Sequence, residues 1–263
     1  MIFLFFIYND RFNLISLFVC FFYQKKMYNS STLFLVILTF ICINSVLSSG
    51  KPWDPVPGEA KYYQNIHQEL LNQTKRFGSE IQVVFLGSSS ISAWTLFGNE
   101  IWKNYYQKHQ SYNYGVWGDR TENILWRIEN GELDGLQPKL IVLEIGHWNI
   151  AKGEDSSADI AKATQIILKK LLKKLPNTKI LLISIIPCDQ QEDHMQKIDE
   201  INNIIKNNSD NSKIFYLDVA KYFRNESGKL INEFHYHGMT TIDEKGYEKW
   251  HEIMKPMFEK LLQ

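Results

Sequence analysis

Five short apolar runs alternate with amphipathic segments along most of this chain, and that alternation constrains the fold more than any other feature. The runs are rich in β-branched and aromatic residues and are bounded by turn-forming residues, as buried strands are. They span residues 81–86, 112–116, 140–145, 179–186 and 213–219. Segments with helical periodicity surround them, at residues 62–76, 100–108, 121–128, 159–175, 194–206 and 244–262. Strands alternating with helices predict an α/β fold with a five-stranded parallel sheet and helices on both faces.

The charge balance narrows the classes of partner. The 263 residues contain 29 Lys and Arg against 29 Asp and Glu, so the formal net charge is zero. A nucleic-acid partner usually requires a basic face, so this balance argues against one. A neutral or lipid-like substrate remains compatible with it.

The first 50 residues differ in kind from the rest. Leu33 to Ile43 is apolar except for Thr39, follows two lysines and precedes small residues, which is typical of a secretory signal peptide. Residues 1–26 are either a gene-model extension upstream of Met27 or a second apolar stretch of a membrane anchor. We therefore expect a secreted or secretory-pathway protein. The alternative is a protein anchored in a membrane by this segment, which would be its only membrane contact if it is not cleaved. Residues 51–263 then form one domain.

Two further features bear on the compartment. Sequons at Asn72, Asn207 and Asn225 would make the protein a glycoprotein if it enters the secretory pathway. Cys188 is the single cysteine of the body, and no basic residue is adjacent to it in sequence. We expect it to be a buried filler rather than a nucleophile.

Polar residues gather where the predicted strands end, which is where parallel sheets place their sites. Serines 88–90 follow the first strand, Gly118 the second, and residues 146–149 the third, while His235 and His237 precede the last helix. A hydroxyl nucleophile, oxyanion donors and a general base are what acyl transfer needs. Each part also has an ordinary interpretation. Gly-Ser-Ser can cap a helix, Asp119 can cap the next one, and the histidines can be surface residues.

Four stretches in this order carry a resemblance: "VVFLGSSSISAW", "YNYGVWGDRTENILWRIENGEL", "KLIVLEIGHWNI" and "EKGYEKWHEIMKPMFEKLL". They resemble the blocks of the SGNH (GDSL-type) hydrolases, and most of all the catalytic subunits of the intracellular platelet-activating-factor acetylhydrolases. The resemblance implies a flavodoxin-like three-layer α/β/α sandwich. It also implies hydrolysis of a small ester or acylated substrate with no metal or cofactor, and a homodimer.

Carried over position by position, the resemblance is uneven. Ser89 occupies the nucleophile position, and Gly118 matches an oxyanion-hole glycine. Trp148 stands where the family has its oxyanion asparagine, and Asn149, one residue later, is the candidate substitute. The catalytic Asp and His positions fall on Gly238 and Thr241, neither of which can act as base or orienting carboxylate.

These substitutions predict a weakly active or inactive member of the family, a pseudoenzyme, because a serine hydroxyl needs a base within hydrogen-bond reach. One alternative is an active secreted esterase with a relocated base, His237, His235 or His147. A further alternative is a ligand-binding or interaction subunit built on this fold.

Overall fold

The computed structural model describes residues 50–59, 62–188, 193–236 and 242–263. The N-terminal segment and the predicted site positions His237, Gly238 and Thr241 lie outside these ranges. Helix α1 (Tyr63–Phe77) precedes strand β1 (Val83–Gly87), and the short helix α2 (Ser89–Ser92) follows it directly. The remaining elements are β2 (Ser111–Gly115), α3 (Thr121–Glu129), β3 (Leu140–Glu144), α4 (His147–Lys152), α5 (Ser157–Lys174), β4 (Lys179–Ile183), α6 (His194–Ile205), β5 (Ile214–Leu217) and α7 (Glu244–Leu262).

The five strands form one parallel sheet in the order β2-β1-β3-β4-β5. The predicted five-stranded parallel sheet is therefore confirmed. The strand order reverses between β1 and β3, because the chain runs outward to β2 on one side and to β4 and β5 on the other. Ligands of such sheets bind in the crevice outside the carboxyl ends of the strands at this reversal point.

Alternation along the strands builds a core on each face of the sheet. In β1, Val84 and Leu86 join a cluster with α1, α3, α5 and α6, whereas Val83 and Phe85 join a cluster with α7. Successive strand side chains point to opposite faces, so a strand that is apolar at every position is covered on both sides. All five residues of β1 and of β3 are buried. The predicted three-layer sandwich follows from these two clusters.

Two local expectations differ from the structure. The segment predicted as one helix over 100–108 is irregular, with α-helical Asn99–Ile101, π-helical Trp102–Tyr106 and 3₁₀-helical Gln107–His109. Its aromatic side chains pack edge-on around Phe85, at 5.0 Å from the rings of both Trp102 and Tyr106. Helices α2 and α4 were not predicted, because four and six residues are too short to show a period. None of the helices within the described ranges is long and apolar enough to cross a membrane.

Candidate active site

A small cavity lies at the carboxyl ends of β1 and β3, at the point where the strand order reverses. Its volume is about 30 Å³, which is room for roughly one water molecule. It is lined by Ser88, Ser89, Ser90, Glu144, His147, Trp148, Ile186 and Ile242. Gly87 lets the two strands approach here, since a Cβ at that position would come within 2.2 Å of the Glu144 carbonyl oxygen.

Ser89 begins α2 and is 8% exposed. Its Oγ accepts a hydrogen bond of 2.7 Å from the indole Nε1 of Trp148 and one of 3.3 Å from the backbone N of Gly118. Ser88 occupies the N-cap position but makes no side-chain capping bond, so the capping interpretation of this turn is wrong for Ser88. The structure thus brings together three residues predicted from sequence: Ser89, Gly118 and Trp148.

Gly118 presents its N–H through a left-handed backbone, with φ of +83°. Side chains rarely adopt this conformation, which explains the glycine. A network of buried charges supports the turn. The Arg127 guanidinium bonds Asp119 Oδ2 at 2.6 Å, Glu132 Oε2 at 2.7 Å and the Tyr114 carbonyl at 2.5 Å.

Asp119 therefore belongs to this charge network and does not cap α3, so the capping interpretation of Asp119 is wrong. The N-cap of α3 is Arg120, whose backbone N donates to Asn123 Oδ1 at 2.8 Å. The sequence pattern missed this because Glu122 and Asn123 both carry acceptors near the third helical position.

Asn149 does not act as an oxyanion donor in this structure. Its side chain is fully buried, and its amide nitrogen donates to Glu122 Oε2 and to Asp155 Oδ2, each at 3.0 Å. Its Oδ1 accepts from the backbone N of Thr121 at 3.0 Å. Both amide hydrogens are committed to carboxylates, so this carboxamide ties α4 to α3, and the expectation for Asn149 is corrected.

Among the described residues that line the cavity, His147 is the candidate histidine. Burial, followed by the nearby His194, lowers the pKa of His147 to about 4. Its ring nitrogens lie 3.6 and 3.7 Å from the Sγ of Cys188. Cys188 is buried as predicted, but it does have an imidazole neighbour, which the sequence could not show because α4 and the end of β4 are about 40 residues apart.

His235 faces backbone carbonyls with both nitrogens. Its Nε2 lies 3.0 Å from the Pro187 oxygen and its Nδ1 lies 3.2 Å from the Ile231 oxygen. Carbonyl oxygens only accept hydrogen bonds, so the protonated nitrogen donates to one of them, and both nitrogens face carbonyls rather than a serine hydroxyl.

Glu144 is a functional candidate that the sequence reasoning missed. It ends β3 with 1% exposure, and Ser90 Oγ donates a hydrogen bond to its Oε2. Burial raises the pKa of Glu144 to about 7, and the bond from Ser90 opposes this rise. The available signal was a lone acidic residue inside the apolar run "LIVLEIG", at the strand end where sites lie.

A larger groove of about 350 Å³ borders the cavity and shares Gly118 and Trp148 with it. Trp117 lies on this groove and is 38% exposed. Its other walls are Gly58, Glu59, Tyr62, Tyr63, Asp119, Arg120, Asn123, Ala151 and Lys152. The charged side chains are paired, Arg120 with Glu59 and Glu122, and Lys152 with Glu154. The groove is therefore aromatic and locally neutral.

A buried serine at the reversal point of a parallel sheet, with N–H donors directed at its oxygen, is the arrangement expected of an α/β serine hydrolase. Residues 85–248 match the model of the GDSL-like lipase/acylhydrolase family, and the chain belongs to that family. The platelet-activating factor acetylhydrolase IB subunit beta homolog of Drosophila melanogaster is 28% identical over 207 residues, 77% of this chain and 86% of that protein.

Other relatives and solved structures agree with this assignment. The platelet-activating factor acetylhydrolase IB subunit alpha2 of Rattus norvegicus is 27% identical over 188 residues, 70% of this chain and 77% of that protein. A GDSL-like lipase structure from Bacteroides thetaiotaomicron superimposes with a TM-score of 0.63 at 19% identity, covering 75% of this chain and 97% of that one. The lipase/acylhydrolase from Enterococcus faecalis gives 0.56 at 16%, covering 68% and 96%. These two structural likenesses concern the fold.

Proposed function

We propose that this protein binds a small ester or acylated ligand in an acylhydrolase pocket and hydrolyses it weakly or not at all through Ser89. The observation that carries the proposal is the 2.7 Å hydrogen bond from the Trp148 indole to Ser89 Oγ. A bulky indole stands where the family resemblance places a small carboxamide. It crowds the serine and leaves a cavity of about 30 Å³.

The chemistry of the serine supports the same proposal. Ser89 Oγ accepts from two N–H groups, and within the described residues no base accepts a hydrogen bond from its hydroxyl. A serine without a base reacts slowly, and removing the histidine of a well-studied serine hydrolase costs roughly 10⁶ in turnover. The family positions for the acid and base carry Gly238 and Thr241.

The size and lining of the two cavities suggest which part of a ligand each would hold. The small cavity next to Ser89 suits a short acyl group, and the neighbouring groove of about 350 Å³ suits the alcohol portion. Trp117 and Trp148 give that groove flat apolar surface, and its paired charges favour a ligand that is neutral overall.

The alternative is an active esterase with a relocated histidine. The observation in its favour is that His147 lines the same cavity as Ser89. Its low pKa weakens it as a base at neutral pH, because the efficiency of a general base falls as its pKa drops below the working pH. His237 and His235 are the other two candidate bases of this alternative.

Steady-state hydrolysis of p-nitrophenyl acetate separates these possibilities. The proposal predicts a kcat far below the typical enzyme value of about 10 s⁻¹. His147→Ala, His235→Ala and His237→Ala each serve as a test of the relocated base. A fast wild-type rate that one of these substitutions abolishes would replace the proposal with an active esterase.

A binding or interaction role remains a further proposal. The two relatives above are named as subunits, which supports self-association of this chain as a homodimer. Sedimentation velocity across a concentration series tests it. A single monomeric species at all concentrations would count against a homodimer.

We also propose passage through the secretory pathway, with the N-terminal segment as signal peptide or anchor. The sequon residues Asn72, Asn207 and Asn225 are all exposed, so each could carry a glycan. Expression in a secreting cell should give a product that an N-glycosidase shortens, and Asn225→Gln should remove one glycan. A cell-retained product that the enzyme leaves unchanged would contradict this proposal.

A further inference from the structure

We propose that Ser90 and Glu144, rather than Ser89 with a histidine, form the nucleophile–base pair of this cavity. The inference rests on the proposed function only in that the cavity must admit a small acyl group. It assigns any residual acyl transfer to a pair of residues that the family blocks do not mark.

Geometry distinguishes the three serines. Ser90 Oγ donates its hydrogen bond to the Glu144 carboxylate, and both side chains line the cavity. Ser88 and Ser89 are buried, whereas Ser90 is half-buried and so more accessible. Ser89 Oγ instead accepts from Gly118 and Trp148. Within the described ranges, Ser90 is the serine of this turn whose proton already lies against a base.

The surroundings of Glu144 suit a base. Its carboxyl is 1% exposed, and the described residues place no cation within ion-pair distance of it. Burial raises its pKa to about 7, and general bases work best when their pKa lies near the working pH. A buried carboxyl without a cation is costly to keep, so its presence in a cleft marks a functional candidate.

Among the described residues, the other titratable groups that face Glu144 are neutral at the relevant pH. His147 of α4 shares the cavity, and burial lowers its pKa to about 4. From α7, the Tyr247 hydroxyl donates to the Ser90 backbone oxygen at 2.6 Å, and burial holds its pKa well above 10. These contacts fix the backbone of Ser90 without competing for its hydroxyl.

The reaction balances without any co-reactant other than water. Ser90 Oγ attacks the ester carbonyl carbon while its proton passes to Glu144. The bond from that carbon to the alcohol oxygen then breaks, and Glu144 returns the proton to the departing alcohol. Water, deprotonated by Glu144, hydrolyses the acyl-serine and regenerates both groups. The N–H groups of Gly118 and Trp148, which now hold the Ser89 oxygen, are the donors available to the carbonyl oxygen.

Labelling of the full chain with a fluorophosphonate probe, followed by fragment mass spectrometry, tests the pair directly. We expect the adduct on Ser90 of the wild-type protein. Ser90→Ala should abolish it, Ser90→Thr should retain part of it, and Glu144→Gln should slow labelling by about 10²-fold or more. Ser92→Ala, in the same helix, is the matched control and should leave the rate unchanged.

The pH profile adds a readout that a purely structural role would not move. Labelling should rise with pH to a plateau with a midpoint near 7, and Glu144→Gln should remove that midpoint. An adduct on Ser89 would overturn this inference but agree with the proposed function, which assigns any weak hydrolysis to that residue. No adduct on any serine of the turn would overturn this inference alone and leave a binding pocket. Because the adduct is located in the wild-type protein, the test holds even if a variant fails to fold.

Discussion

At the scale of single residues, Trp148 and Glu144 are side chains that contact the serines of the small cavity. Trp148 donates from its indole Nε1 to Ser89 Oγ, at a position where the resemblance implies a small carboxamide. Glu144 places a buried carboxyl beside Ser90. A polar or bulky residue at a functional site often lowers the stability of the fold. Glu144 therefore leads to a prediction about the free energy of unfolding as well as one about chemistry.

Glu144 should make stability depend on pH. Its pKa rises from the ordinary 4.5 to about 7 on folding, so the folded state favours the neutral acid. The stability gained from this group is fully present below about pH 4.5 and is lost as the pH rises through about 7. Relative to Glu144→Gln, the wild type should lose on the order of 3 kcal/mol of unfolding free energy over that range.

Urea unfolding of both proteins at about pH 4.5 and pH 8 measures this difference. Exposed Glu226→Gln is the control and should show no such change. An equal difference between wild type and Glu144→Gln at the two pH values would show that the buried carboxyl is not neutral in the folded state.

At the scale of elements, buried charges hold together the turn that carries Gly118. Arg127 on α3 bonds Asp119 in the turn, the carbonyl of Tyr114 on β2, and Glu132. Glu132 in turn accepts from His67 on α1 at 2.7 Å. The network thus links two helices, a strand and the turn that carries Gly118.

Arg127→Met should therefore destabilise the protein by about 3–5 kcal/mol, because it leaves Asp119 and Glu132 buried without their cation. The measurement is the unfolding free energy in urea at neutral pH, with exposed Arg76→Ala as the control. A loss below about 1 kcal/mol, as expected for a surface ion pair, would mean that the network does not support the turn.

The sequence predicted the elements better than the contacts between them. The five apolar runs located the five strands, since a buried strand needs an unbroken apolar stretch. Asn149 could not be judged in the same way, because its bonds to Thr121, Glu122 and Asp155 depend on how α4 packs on α3. The pairing of Ser90 with Glu144 likewise joins residues 54 apart in sequence.

At the scale of the whole molecule, the chain has the fold of the GDSL-like family, and we propose that its reactive centre is altered. The strand order and its reversal point agree with membership of the GDSL-like family. Under the proposed function, the indole on Ser89 departs from the family, as do Gly238 and Thr241, which the resemblance places at its acid and base positions. Ester turnover should therefore be limited by missing groups rather than by the architecture around them.

The most direct test restores those groups and measures kcat/KM for p-nitrophenyl acetate. Gly238→Asp with Thr241→His should raise kcat/KM by roughly 10²-fold or more over the wild type, the usual contribution of a placed general base. Adding Trp148→Asn should raise it again, and Ser89→Ala in that background should abolish the gain. A wild-type protein that already turns over as fast as the restored variant would contradict the account.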